Sequence, residues 1–345
     1  MRRVLLAPLL VTLLLAAPAA GGLRLPPGFT ARVYVTGEGF GSTAVGGAGV
    51  PSASTLSIDA DGVLYLARTG RRYMVGGEAE DLWRLYRIPP GGGRLTPDTE
   101  AAYLHGPPLP NPQVATIRSG RELFVTTFDR DRKIGVLYAM RDGRAEWFAG
   151  GTPPRGQTPL LRQPEGAVAD RAGNIYVADR DQGVIVKLDA AGRVLEGRWL
   201  AVTRPRALAI DRSDHLWIGS DGAAQAPWQQ GPGEILRVGP DGQPQVVLRG
   251  PVAAALAVGP NGRVFVADRQ HAAVFVLAAD GTRTEFARFT DNDAPRSLAF
   301  APVTEATRRA GIAGDLFVVV INRGAWPVNE VVRISGPFEE LTAGR

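Results

Sequence analysis

The chain has 345 residues, of which 45% are hydrophobic, so it can bury a sizeable core in one large domain or two ordinary ones. Its 43 glycines and 27 prolines indicate many turns, but they stay below the composition of disordered proteins. The formal charge is +5, yet the basic residues are almost all arginines scattered among 34 acids, and the absence of a Lys/Arg run argues against a nucleic-acid partner.

The first twenty residues have the features of a secretory signal peptide. Two arginines precede the apolar run VLLAPLLVTLLLAA, and Ala17-Pro18-Ala19 supplies the small residues that a signal peptidase requires. An uncleaved anchor is the alternative, although the run is short for a membrane span. We expect a signal peptide over residues 1–20 and a periplasmic or secreted mature chain over residues 21–345, with no membrane span. Since there is no cysteine, its core alone must hold it together.

One pattern recurs six times along the remaining chain. Each copy begins with Pro-x-small or a close variant, continues as an alternating apolar segment and a turn, and ends as an apolar and aromatic run. The copies are ASTLSIDADGVLYLAR from Ala53, PQVATIRSGRELFVTT from Pro112, PEGAVADRAGNIYVAD from Pro164, PRALAIDRSDHLWIGS from Pro205, AAALAVGPNGRVFVAD from Ala253, and PRSLAFA from Pro295, which resumes at DLFVVV. Their turns lie 41 to 59 residues apart, and such periods with β-type segments are typical of propeller blades.

Each copy is followed by two further strands joined by a tight turn, as in GVIVKLDAAGRVLEGRW. Four strands in each of six units predict an all-β, six-bladed β-propeller that forms a single domain. The last unit has EVVRISG as its third strand and almost nothing after it. We expect FTARVYV, residues 29–35, to supply the missing strand, so that an N-terminal strand closes the ring and removes the open edge.

The Pro-x-Gly start, the Asp-x-x-Gly turn and the Tyr-Val-Ala-Asp strand end resemble the NHL-repeat propellers, most closely between Pro164 and Asp179. The segment LPPGFTARVYV is similar to the first strand of glucose/sorbosone-dehydrogenase-type propellers, and lactonases of the SMP-30/gluconolactonase group share the six-bladed architecture. These resemblances imply the fold more than an activity. In such blades the turn lies far from the mouth of the central channel, so we interpret Asp170 and Gly173 as turn residues.

The x of each Pro-x-small start should face the mouth of the channel. We call these six positions the mouth ring: Ser54, Gln113, Glu165, Arg206, Ala254 and Arg296. A purely structural position should be similar in every blade, whereas this ring mixes one acid, two arginines, an amide and two small residues. Glu165 can neutralise one arginine, which leaves Arg296 for an anionic group. Alternatively, Glu165 and the arginines only pair with one another across a wet channel.

The second strands end near the same mouth, at positions that include Arg68, Asp179 and Asp268. The two aspartates either contact a ligand or only anchor the loops that follow. Long loops at residues 69–81, 221–234 and 322–330 bring aromatic side chains to the rim. Trp228 and Trp326 are suited to stacking on a sugar ring or a flat cofactor, or else pack on their own blades.

Enzyme hypotheses have weaker support. A calcium lactonase needs several oxygen ligands, and in the mouth ring only Glu165 qualifies, so we predict no metal site. The D-x-D pairs, such as Asp179/Asp181, have no companion glutamate at calcium-loop spacing. Quinone-dependent sugar dehydrogenases use a His followed by Gly-Gly-Arg, a run that is missing after His105. His215 falls in a far-side turn, whereas His271 lies in a mouth-side loop and is the better general-base candidate.

The sequence therefore predicts a propeller that recognises an anionic small molecule or a protein partner at the channel mouth. The predicted binding residues are Gln113, Glu165, Arg206, Arg296, Arg68, Asp179, Asp268, His271, Trp228 and Trp326. The alternative is an enzyme on sugars or lactones, either a quinone-dependent dehydrogenase or an SMP-30-type lactonase. The sequence assigns neither a catalytic residue nor a cofactor.

Overall fold

The computed structural model of the chain describes residues 22–40, 49–68, 82–224, 231–239, 241–322 and 328–341. Regular structure within these ranges is nearly all β-strand. The helices there are short: α1 (Glu305–Arg309) and the 3-10 turns Glu100–Ala102 and Phe338–Glu340. No helix in these ranges is both long enough and apolar enough to span a bilayer.

The strands form six sheets, the blades, and in blades one to five the strands run in chain order from the inner to the outer edge. Blade one contains β4 (Ala53–Ile58), β5 (Leu64–Arg68), β6 (Leu82–Ile88) and β8 (Leu104–Pro110). Blade two contains β9 (Gln113–Arg118), β10 (Glu122–Asp129), β11 (Ile134–Arg141) and β12 (Arg144–Gly150). Blade three contains β13 (Pro164–Ala169), β14 (Ile175–Asp179), β15 (Val184–Leu188) and β16 (Val194–Ala201).

The remaining blades follow the same order. Blade four contains β17 (Pro205–Ile210), β18 (Leu216–Ser220), β19 (Gly233–Val238) and β20 (Pro244–Gly250). Blade five contains β21 (Ala253–Val258), β22 (Val264–Asp268), β23 (Ala273–Leu277) and β24 (Arg283–Phe289). Blade six contains β25 (Asp293–Phe300), β26 (Leu316–Asn322) and β27 (Val328–Ser335). The predicted six-bladed, all-β propeller is thus confirmed.

The N-terminal segment closes the ring. Strand β2 (Thr30–Gly37) pairs antiparallel with β27, and in this register Thr30 lies opposite Ser335. The predicted fourth strand of blade six is therefore confirmed, with bounds shifted by one or two residues. Two further pairings were not predicted: β7 (Gly93–Leu95) lies parallel to β2, and β3 (Val50–Pro51) pairs with β27. In addition, β1 (Leu23–Arg24) pairs with β24, so the same segment joins blade five to blade six.

Apolar side chains pack between neighbouring blades. One cluster joins Phe124 and Leu137 of blade two to Ile175 and Val186 of blade three, and all four side chains are completely buried. Burying one such side chain is worth about 1.5–3 kcal/mol. Because similar clusters lie between the other blades, the ring is held by its own interior without disulfides.

The far-side turns have the predicted structure. The Asp170 carboxylate accepts the backbone N–H of Asn174 at 2.8 Å, and Gly173 adopts a φ of +85°. Asp59 and Asp211 accept backbone N–H groups of their own turns in the same manner. These carboxylates satisfy local backbone donors, which accounts for their recurrence in the repeat.

Candidate functional site

A β-bulge sits near the start of each inner strand. In blades three to six the register shift falls at the mouth-ring residue: Pro164 pairs with Asp179 and Gly166 with Ala178, so Glu165 has no ladder partner. In blade one the shift falls between Ala53 and Leu56, an interval that contains Ser54. In blade two it comes later, after Val114. Since a bulge redirects the side chain of the extra residue, the mouth-ring side chains of blades three to six are turned out of the regular ladder.

Glu165 is the centre of a hydrogen-bonded network at the mouth. Its side chain is 7% exposed, and Oε1 accepts a hydrogen bond from Gln163 Nε2 at 2.7 Å. Oε2 accepts from Gln113 Nε2 at 2.7 Å and from Arg206 Nη1 at 3.2 Å. The structure therefore brings together three of the predicted residues, Gln113, Glu165 and Arg206. With three donors on two oxygens, the carboxylate is largely satisfied inside the protein.

Arg206 binds a second carboxylate. Asp221, whose side chain is fully buried, accepts from Arg206 Nη2 at 2.7 Å and from Nε at 3.0 and 3.1 Å. Arg180 of the preceding blade shares the same carboxylate, with Nε at 3.0 Å from Oδ2. Burial alone would lower the pKa of the Arg206 guanidinium, but Glu165 and Asp221 outweigh it and raise that pKa. Arg206 is thus held in its charged form by two carboxylates.

Arg296 has the opposite environment. Arg296 is partly buried, and among the described residues its guanidinium makes one hydrogen bond, from Nη1 to the backbone oxygen of Ala53 at 3.1 Å. Burial, together with the charges of Arg269 and Arg206, lowers the pKa of Arg296 to about 9, and Glu165 only partly opposes them. Arg296 itself therefore bonds no carboxylate among the described residues, although two other positive charges act on it.

Asp221, Arg180 and Arg269 were not predicted as site residues. All three directly follow the second strand of their blades: Arg180 comes after Asp179, Asp221 after Ser220, and Arg269 after Asp268. The sequence did hold a signal for them: each is the residue directly after a second strand. Comparing this position between neighbouring blades, instead of within one repeat, would have brought the three residues together.

In the described contacts, the predicted residues Arg68 and Asp179 at the strand ends do not bond Glu165 itself, although Asp179 shares Gln163 with it. Arg68 Nη1 donates to Tyr86 Oη at 2.9 Å and to Glu100 at 3.2 Å, and its guanidinium covers the Trp83 ring. Asp179 is completely buried and accepts the backbone N–H groups of three loop residues, Arg162, Gln163 and Gln182. These contacts fit the loop-anchoring interpretation of Asp179.

His271 and Asp268 form a pair of their own. His271 Nδ1 lies 2.7 Å from Asp268 Oδ2, and the imidazole is 63% exposed. Of the other two histidines, His215 contacts Asp211 in a far-side turn, and His105 packs against Tyr65, which itself contacts the turn residue Asp59. The remaining predicted residues, Trp228 and Trp326, lie outside the described residues, as does the loop at 69–81.

The acidic side chains do not form a cation site in the described ranges. No group of three or more His, Asp or Glu side chains there is arranged to hold a metal ion. Glu165, the one mouth-ring acid, already accepts from an arginine and two amides. Since hard cations need several free oxygen ligands, these residues do not fit the calcium chemistry of a lactonase.

Comparisons with known proteins identify the architecture. No family model and no curated protein sequence matches the chain. Among solved structures, the gluconolactonase from Xanthomonas campestris is 13% identical, with a TM-score of 0.59 over 93% of this chain and 97% of that one. Virginiamycin B lyase from Staphylococcus aureus is also 13% identical, with a TM-score of 0.51 over 89% and 99%. At this identity the likeness is one of fold, and the chain shares its six-bladed propeller architecture with enzymes of two kinds.

Proposed function

We propose that the protein binds a small anionic molecule at the channel mouth, with Arg296 as its anchor. The observation that carries this proposal is the unequal environment of the two mouth-ring arginines. Arg206 has two carboxylate partners, whereas Arg296 has one backbone oxygen and two arginines close enough to depress its pKa. An anion would relieve that repulsion and accept from guanidinium N–H groups that have no partner in the described ranges.

The position of Arg296 favours a small ligand. Arg296 is partly buried within the ring, so an anionic group must be narrow enough to enter the mouth. A protein partner, the other predicted ligand, would instead contact the rim loops. A periplasmic or secreted location remains our expectation from the N-terminal segment, and it would expose the site to extracytoplasmic solutes.

Thermal unfolding in the presence of sodium gluconate, acetate, phosphate and sulfate, at matched ionic strength, tests this proposal. A ligand that binds only the native state raises its melting temperature. At least one anion should stabilise the wild type more than chloride does, and Arg296→Gln should remove the effect. Losing a charged hydrogen bond of about 1.5–3 kcal/mol corresponds to roughly a tenfold to hundredfold weaker affinity.

The matched control is Arg171→Gln, since Arg171 is a 71% exposed arginine that pairs with Asp214 beside a far-side turn. It should keep the wild-type response. If no anion stabilises the wild type, or if Arg296→Gln responds like the wild type, the proposal is wrong.

Lactone hydrolysis is the second candidate, and the His271–Asp268 pair favours it. With Nδ1 donating to Asp268, Nε2 keeps its lone pair, and the exposed ring leaves that nitrogen open to a water molecule. The gluconolactonase of similar fold adds support at the level of architecture. A pH-indicator assay with glucono-δ-lactone tests it: His271→Gln should abolish turnover, and His105→Gln should not. Turnover no faster than in buffer would exclude this candidate.

A further inference from the structure

Blades four and six are equivalent around their mouth-ring arginines. Arg206 follows Pro205, which pairs with Ser220, and Arg296 follows Pro295, which pairs with Val320. In both blades the arginine is the bulged residue. Positions in the two blades can therefore be compared one by one, including the residues that each preceding blade contributes.

In blade four, two arginines share a carboxylate. Asp221, the residue after Ser220, is bonded by Arg206 of its own blade and by Arg180 of blade three. The mouth-ring residue of blade three, Glu165, adds a second acid to Arg206. Two arginines thus contact two carboxylates, and the Asp221 carboxylate that both arginines bond is fully buried.

In blade six the cations are kept and both acids are replaced. Arg269 follows Asp268 as Arg180 follows Asp179, and its charge acts on Arg296. At the position of Asp221, the residue after Val320, stands Ile321. At the position of Glu165 stands Ala254. Around Arg296, apolar residues therefore stand at the two positions that hold carboxylates around Arg206.

A hydroxyl group lies at the next position around the ring. Ser54 is the mouth-ring residue of blade one and is 1% exposed. Its Oγ has no hydrogen-bond partner in the described part of the chain. A buried hydroxyl without a partner is uncommon, and it can donate to an anion that enters this sector.

Resting on the proposed function, we infer that the anion is a carboxylate, which takes beside Arg296 the place that the Asp221 carboxylate takes beside Arg206. The planar fork of a carboxylate matches the guanidinium fork, as it does in blade four. The tetrahedral oxygens of phosphate or sulfate would bring at least one charged oxygen towards Ile321 and Ala254, where it would lose water without gaining a donor.

The test supplies the missing acid from within the protein. Ala254→Glu restores the counterpart of Glu165, and its carboxylate should occupy Arg296 and compete with the ligand. In thermal unfolding with gluconate and acetate against phosphate and sulfate, the wild type should be stabilised by the carboxylates more than by the other anions. Ala254→Glu should require at least tenfold more carboxylate for the same shift. Ala254→Gln adds a side chain of equal size without a charge, so it should lose less carboxylate affinity than Ala254→Glu does.

Each result has a defined meaning. If phosphate or sulfate stabilises the wild type as well as the carboxylates do, the ligand class is wrong although the anion site stands. If Ala254→Glu and Ala254→Gln respond equally to carboxylates, the site is not beside Ala254. If no anion stabilises the wild type, the proposed function itself has failed. Should Ala254→Glu not fold, Arg269→Gln serves instead: carboxylate binding must weaken at least tenfold, and an unchanged response overturns the inference.

Discussion

Replacing Glu165 with glutamine isolates the central charge of the mouth network. The side chain keeps its size, but one of its two acceptor oxygens becomes an NH₂ donor. The three partners of the carboxylate among the described residues, Gln113, Gln163 and Arg206, are all donors in the native arrangement. The variant therefore places a donor against a donor or forces an amide to rotate, and Arg206 loses a counter-charge.

The expected loss of stability depends on the burial of Glu165 and on the carboxylate that Arg206 keeps in the variant. Breaking a buried ion pair costs about 3–5 kcal/mol when the surviving charge is left alone. Here Asp221 still binds Arg206 at 2.7 Å, so the charge is partly compensated. A hydrogen bond to a charged group is worth about 1.5–3 kcal/mol. We therefore expect Glu165→Gln to lower the free energy of unfolding by about 2–3 kcal/mol.

Urea unfolding followed by tryptophan fluorescence measures this change, with an unchanged m value as the sign that only stability has shifted. Glu305→Gln is the control, because Glu305 is 80% exposed in its pair with Arg309 and should contribute less than about 1 kcal/mol. A Glu165 variant within about 0.5 kcal/mol of the wild type would refute the reasoning, since a carboxylate bonded in this way cannot be replaced at no cost.

Two further predictions concern the scaffold and its pH dependence. An alanine Cβ at Gly166 would lie 2.6 Å from the backbone oxygen of Arg206, so Gly166→Ala should lower the free energy of unfolding in urea by about 1–3 kcal/mol. Gly91 has open space around it, so the control Gly91→Ala should cost much less. Equal unfolding midpoints for the two variants would contradict the close approach of blades three and four. Burial alone would raise the pKa of Glu122, but bonds from arginines of β9 and β11 lower it below the ordinary 4.5. Its stabilising contribution is therefore present above pH 4.5 and lost as the pH falls through the lowered pKa, so the wild type and Glu122→Gln should converge on acidification; a difference that stays constant with pH would be inconsistent with this.

The fold was predictable because its signals are local. A turn such as Asp170 to Gly173 and the alternating strands on either side are determined within a few residues, and the same sequence pattern occurs six times. The closing strand was predictable from the strand missing after β27. The pairing of β1 with β24 was not, because two residues are too short to show an alternating pattern.

The site was predictable only in part, since its contacts join different blades. The repeat alignment placed Glu165 and Arg206 in adjacent blades, and the structure shows them bonded. Asp221 went unnoticed because its partners lie 15 and 41 residues away, at distances that no local pattern specifies. Binding of a ligand by Arg68 stays a prediction, and its pairing with Glu100 was not foreseen because Glu100 lies in a 3-10 turn outside the repeat.

The N-terminal segment joins blades five and six in a way that the other blades do not share. The four strands of each of blades one to five come from one stretch of the chain, whereas blade six is completed by β2, and β1 of the same segment lies on blade five. The inferred carboxylate site lies beside Arg296 of blade six, where the charge of Arg269 from blade five also acts. A ligand there would connect them on the inner side while the N-terminal strands connect them on the outer side. Occupancy of the mouth and integrity of the ring would then be thermodynamically linked, so that opening the closure releases the ligand and a bound ligand resists the opening.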